Sequence, residues 1–202
     1  MSAAEASGRT LVIIFSSLGW HGVVRAEWGA TLRAVGDGAL VLAHVLDTAQ
    51  SWFQTNPTTG EWDDGHWWDG RLAELCAPYA RVCVLGESMG ATGTLRFARH
   101  ATVSAVALVP QIDVRDFGES YAGRADFGDA RKGRLREAIG RACWETSARV
   151  VLHVGQDPPD LKQLSYLPSE LPGERLEIVL HDVPGHALGA GLKAQGMLRK
   201  VG

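Results

Sequence analysis

Cysteine is scarce: Cys76, Cys83 and Cys143 are the only three in 202 residues, an odd number without paired spacing. That excludes a disulfide scaffold and reads as free thiols in a reducing compartment. No apolar run approaches the roughly 20 residues of a membrane span. The stretch from Met1 to Arg9 has no basic-then-apolar order, so it does not read as a secretory signal. Neither sign of charge dominates, since 20 basic residues face 23 acidic ones for a net charge of -3. A polycationic surface for nucleic acid is thereby excluded. Repeats and low-complexity tracts are absent. These absences predict a cytoplasmic protein with no membrane span and no nucleic-acid partner.

What is present fits a globular chain of average make-up, with 46% hydrophobic and 21% charged residues. The length suits one domain. We expect residues 1–9 to be a flexible N-terminus and 10–202 a single domain. Glycine is plentiful at 24 residues, and of seven tryptophans four fall between Trp52 and Trp68.

Short β-branched runs alternate with longer amphipathic segments. Strands are predicted at Thr10–Phe15, Ala39–Leu46, Arg81–Leu85, Val103–Val109, Arg149–Val154 and Leu176–Leu180. Helices are predicted at Val24–Val35, Trp67–Tyr79, Met89–His100, Arg134–Thr146, Asp160–Leu167 and Ala187–Lys200. An irregular excursion is expected near 112–132. Six β–α units in series require right-handed crossovers and a parallel sheet. The fold class is therefore α/β, a doubly wound, mostly parallel sheet of about six strands with helices on both faces. Ligand sites in such sheets lie at the carboxyl ends of the strands.

The third strand runs into Gly86-Glu87-Ser88-Met89-Gly90 and directly on into a helix. This G-x-S-x-G in a strand–turn–helix context is the pattern of a nucleophile elbow. The serine sits on a sharp turn, and glycines two residues either side remove the side chains that would collide with nearby backbone. The competing reading is a glycine-bordered turn with Ser88 as helix N-cap.

A serine hydroxyl needs a base. His44 and His153 lie within strands, His100 ends a helix and His181 ends a strand, whereas His21 and His66 sit in loops beside tryptophans. His186 follows the sixth strand in a Val183-Pro184-Gly185-His186 turn, after the nucleophile in chain order, and is the predicted base. The acid should follow the fifth strand. Both Asp157 and Asp160 lie in that loop, and the residues alone do not separate them. An oxyanion hole needs two N–H donors. Met89 supplies one, and Leu18, with Ser17 as second choice, the other. Trp20, His21, Trp52 and Phe53 are candidates for the substrate-binding wall, the alternative for the grouped aromatics being the core. No metal-ligand spacing is present around Asp63, Asp64 and His66.

Together the oxyanion strand (Leu11–Leu18), elbow (Gly86–Gly90), acid loop (Gly155–Asp160) and His turn (Pro184–His186) resemble the α/β-hydrolase superfamily over nearly the whole chain. The version is minimal, lacking the superfamily's first two strands, with Ser16-Ser17 where a His-Gly pair is usual. F-S-S-L-G, the Asp47–Phe53 segment and V-P-Q further resemble a bacterial group found near polysaccharide-related enzymes, and that likeness favours Asp160 as the acid. The resemblance implies a serine hydrolase of the carboxylesterase or thioesterase type. It would need no cofactor and no metal and would act on a small-molecule or polymer-borne acyl substrate. Acyl transfer to a glycan or other alcohol is the alternative activity, and a non-catalytic binding module the alternative class.

Overall fold

The computed structural model describes residues 8–19, 23–36, 38–117, 128–167 and 174–197. Six strands form one sheet: β1 (Thr10–Phe15), β2 (Leu40–Val45), β3 (Arg81–Glu87), β4 (Ser104–Leu108), β5 (Arg149–Val154) and β6 (Leu176–Leu180). They lie in the order β2-β1-β3-β4-β5-β6, and every neighbouring pair is parallel. The strands fall on the predicted apolar runs, with β3 running on to Glu87, two residues past the expected end at Leu85; β1 is buried on both faces, whereas the edge strand β6 leaves Ile178 and Leu180 exposed.

The helices are α1 (Gly29–Val35), α2 (His66–Cys76), α3 (Met89–Arg96), α4 (Asp129–Glu145), α5 (Pro158–Gln163) and α6 (Leu188–Ala194). Two apolar clusters mark the two faces of the sheet. Leu11, Ile13, Phe15, Val82, Val84, Ala105 and Leu152 point into the larger, under α3 and α4. The alternate residues Leu85, Val106 and Leu108 meet Trp28, Leu188 and Leu192 in the smaller. A doubly wound α/β sheet results. Its winding reverses between β1 and β3, so their carboxyl ends flank the crevice where this architecture binds ligands.

Two helix boundaries differ from expectation. Helix α1 starts at Gly29, not near Val24, because Trp28 is in the left-handed region at φ 63°. Gly29 N–H also bonds back to the Glu27 carbonyl at 2.7 Å. Helix α4 starts at Asp129, five residues earlier than predicted, and runs through Gly133. Of the expected irregular excursion, residues 114–117 form a 3₁₀ turn and 118–127 lie outside the described residues. Most of the expected N-terminal segment, 1–7, lies outside them too. No helix among the described residues is long and apolar enough to cross a membrane.

On the smaller-cluster face, His153 of β5 stacks on His181 just beyond β6, with Nδ1 2.8 Å from Nε2. Burial, and then the neighbouring imidazole, push His153 down to about 4. The folded state thus resists a proton that the unfolded chain accepts near 6.5, so stability is lost as pH falls through that window. Urea midpoints measured from pH 7 downward should drop as the pH approaches 4, and His153→Gln should flatten the drop. An unchanged slope in that variant would assign the acid sensitivity elsewhere.

Candidate active site

Strand β3 delivers Ser88 to the carboxyl edge of the sheet and α3 begins one residue later. Ser88 is held at φ 56°, ψ -121°, a conformation that costs an L-residue energy and lifts its side chain off the sheet. Two close approaches enforce the turn. A Cβ on Gly86 would lie 2.3 Å from the Gly90 carbonyl oxygen, and one on Gly90 would lie 2.3 Å from that of Phe15. Ser88 N–H donates to the Leu108 carbonyl at 2.9 Å, which pins the turn to β4.

The turn after β6 brings His186 to the same place. Ser88 Oγ lies 2.7 Å from His186 Nε2, and His186 Nδ1 lies 2.8 Å from Asp160 Oδ1. Asp160 is 1% exposed and its Oδ2 has no hydrogen-bond partner among the described residues, so the imidazole is the group that its buried carboxylate meets there. Asp157 stands one helical turn earlier, at the N-cap position of α5, and makes no capping bond. Its carboxylate comes within 4.8 Å of the ligand atoms of Asp160 and His186, the one such group suited to a metal ion among the described residues. Both His186 ring nitrogens are already hydrogen-bonded there.

Burial alone would lower the His186 value. The hydrogen bond and charge of Asp160, followed by the charges of Glu87 and Asp157, outweigh it and hold the imidazole above its ordinary range.

The loop after β1 faces the elbow. Ser17 N–H donates to Glu27 Oε2 at 3.3 Å and Ser17 Oγ lies 2.6 Å from the same oxygen. The Ser17 amide is therefore turned to Glu27, and Leu18 is the next amide along. Met89 opens α3, where an N–H has no intrahelical acceptor.

Of the aromatics after β2, Trp52, Phe53 and Trp68 lie in the core, the alternative to a pocket wall, and Trp62 and Trp67 are half-buried against it. Trp52 and Phe53 are 1% and 0% exposed. Phe53 sits edge-on to Phe15 and Trp68, with ring centroids 5.1 and 5.6 Å apart. Trp52 Nε1–H donates to Gln111 Oε1 at 2.8 Å. Buried Asp47 shapes the segment by accepting Ser51 N–H at 2.7 Å and Phe53 N–H at 2.8 Å. Trp20 and His21 lie outside the described residues. Glu27 and Glu87 escaped the sequence reading, although Glu87 occupies the first variable position of G-x-S-x-G.

No family model and no curated protein matches this chain. Solved structures do. Acetyl xylan esterase from Paenibacillus sp. R4 superposes with a TM-score of 0.59 at 15% identity, over 96% of this chain and 74% of that one. A fluorophosphonate-binding serine hydrolase of Staphylococcus aureus gives 0.58 at 17%, over 96% and 82%. A monoacylglycerol lipase of Paleococcus ferrophilus gives 0.53 at 13%, over 96% and 94%. At such identities the likeness establishes the fold, which is the α/β-hydrolase fold.

Two glycine substitutions separate the constrained turn from free helix. Gly90→Ala should cost more than about 3 kcal/mol or prevent folding, because backbone has to move. Gly70→Ala in α2, with open space around it, should stabilise by up to about 1 kcal/mol. Thermal denaturation of the two variants checks both, and a tolerated alanine at 90 would refute the close approach.

Proposed function

We propose that this protein is a serine hydrolase that cleaves an ester or thioester through an acyl-enzyme, with Ser88 as nucleophile, His186 as base and Asp160 as the orienting acid. The observation that carries the reading is the unbroken chain of contacts, 2.7 Å from Ser88 to His186 and 2.8 Å from His186 to Asp160. A base must touch the proton it takes and be fixed by a third group. Asp160 rather than Asp157 fills that third place in this reading.

His186 Nε2 accepts the Ser88 proton as Oγ attacks the acyl carbonyl. Nδ1–H donates to Asp160, which sets the tautomer and stabilises the imidazolium. Charge develops on the carbonyl oxygen, where the N–H groups of Met89 and Leu18 are the proposed donors. The imidazolium then protonates the leaving alcohol or thiol, and water repeats the sequence on the acyl-enzyme. Ser88 is 8% exposed and the His186 side chain 33% exposed, so this chemistry takes place at a surface opening. That arrangement favours small or polymer-borne acyl groups. One of the structural neighbours acts on acetylated xylan, an acyl group of that kind.

Incubation with a fluorophosphonate followed by intact-mass analysis should give one adduct, absent in Ser88→Ala. On an activated aryl acetate, Ser88→Ala and His186→Ala should each lose roughly four or more orders of magnitude in kcat, to a similar residue, because the group acts as a unit. Asp160→Asn should lose far more than Asp157→Asn; the reverse order would move the acid to Asp157. Inactivation needs neutral His186, so its rate should rise with pH through a midpoint above 6.5. Asp160→Asn should bring that midpoint down. A folded wild-type protein that takes no label would sink the proposal.

A further inference from the structure

The acid inside the elbow, Glu87, has no part in the proton transfers above, yet it touches both loops that complete the site. As the last residue of β3 it is half-buried. Its carbonyl oxygen lies 2.9 Å from Ser17 Oγ, on the loop after β1. Its carboxylate Oε1 accepts the Gly189 N–H at 2.8 Å, three residues beyond His186. Gly189 is enclosed on that side. A Cβ there would lie 2.6 Å from Glu87 Oε2 and 2.6 Å from the Trp28 indole.

Burial among like charges makes this an expensive place for an acid. Burial first, and then Glu27 and Asp160, push the Glu87 carboxyl above its ordinary range, opposed by the Gly189 N–H and by His186. An apolar side chain would avoid that cost but would leave the Gly189 N–H without this acceptor.

From these contacts we infer that Glu87 is a positioning residue: its carboxylate oxygen holds the start of α6, and with it His186, in register with Ser88. The inference rests on Ser88 and His186 acting as nucleophile and base. The geometry explains why the contact matters to that pair. Ser88 is fixed by β3 and α3, whereas His186 rides on a turn between Val183 and Leu188. The bond from Glu87 to Gly189 is a direct tie from the residue beside the nucleophile to the helix that follows the base.

Reach and charge can be tested separately. Glu87→Gln keeps an oxygen at the right distance without the charge, whereas Glu87→Asp keeps the charge and withdraws the oxygen by one methylene. Positioning through the hydrogen bond predicts that Glu87→Asp and Glu87→Ala lower kcat by roughly ten- to a hundredfold, with KM changed less than about twofold. Glu87→Gln should stay within about threefold of wild type. Hydrogen exchange at the Gly189 amide should quicken by about tenfold or more in the Asp and Ala variants and not in the Gln variant. Loss in Glu87→Gln with Glu87→Asp near wild type would overturn the inference in favour of a charge effect. Unchanged Gly189 exchange in Glu87→Asp and Glu87→Ala would overturn it as well. The exchange measurement needs no turnover, and wild-type fluorophosphonate labelling tests the nucleophile by itself. Failure of this inference is thereby distinguishable from failure of the Ser88–His186 reading.

Discussion

Backbone touching backbone at the elbow is the constraint on which the site depends. The Phe15 carbonyl meets α3 at Gly90, and the Gly90 carbonyl meets β3 at Gly86, both at distances that leave no space for a Cβ. These approaches bring β1, β3 and α3 closer than ordinary side chains allow. The ends of β1 and β3 flank the point where the sheet reverses its winding, so the same approach sets the loop after β1 against the first turn of α3. The positive φ of Ser88 costs energy by itself. It persists because β4 accepts its N–H and because the buried helix behind it has nowhere else to go.

That buried helix explains what the tryptophan-rich segment does. Gly93 of α3 gives the Phe53 ring its place, and a Cβ there would meet the ring at 2.7 Å. Phe53 then bridges Phe15 to Trp68, and Phe15 stacks on Phe97 at 5.7 Å. Aromatic pairs of this kind contribute about 0.5–1.5 kcal/mol beyond the area they bury. Trp52 and Phe53 both adopt positive φ, and Asp47 stabilises that kink by collecting the amides of Ser51 and Phe53. The segment supports the elbow from behind.

The strands and the strand–turn–helix at Ser88 were legible in the sequence because their signals are local. A run such as TLVIIF reads as a covered strand wherever it stands, and G-E-S-M-G between such a run and a helix carries its own steric reason. The place of His186, on the turn after β6 and within reach of Ser88, was legible through chain order. Choosing between Asp157 and Asp160 was beyond the residues themselves, since both fit the loop after β5. What separates them is direction: at the start of α5 a three-residue step turns one side chain inward to 1% exposure, while Asp157 stays half-exposed. The aromatic segment was ambiguous for a related reason, since Trp and Phe suit a pocket wall as well as a core. Long-range partners such as Gln111 for Trp52 decide it. Glu87 and Glu27 were illegible because an acid beside a motif reads as a solvated loop residue until its partner, 102 residues away in the case of Glu87 and Gly189, is known.

In the proposed mechanism, electrostatics shape how His186 would work as the base. His186 is enclosed enough for burial to favour its neutral form, yet Asp160, Glu87 and Asp157 all favour the cation and prevail. A stronger base takes the Ser88 proton more readily, but a smaller fraction of it is neutral at a given pH. The two effects oppose each other, so each added carboxylate brings a diminishing return. Asp160 justifies its place by contact, since its bond to Nδ1 fixes which nitrogen faces Ser88. Glu87 has no such bond to the imidazole, and its charge alone would only move the working range upward. Its presence beside Ser88 is better explained by where its oxygen is, on the amide of Gly189, than by the charge it carries. The acidic surroundings of this histidine are thus, in part, the electrostatic consequence of the polar contacts that Asp160 makes to its ring and Glu87 makes to the helix after it.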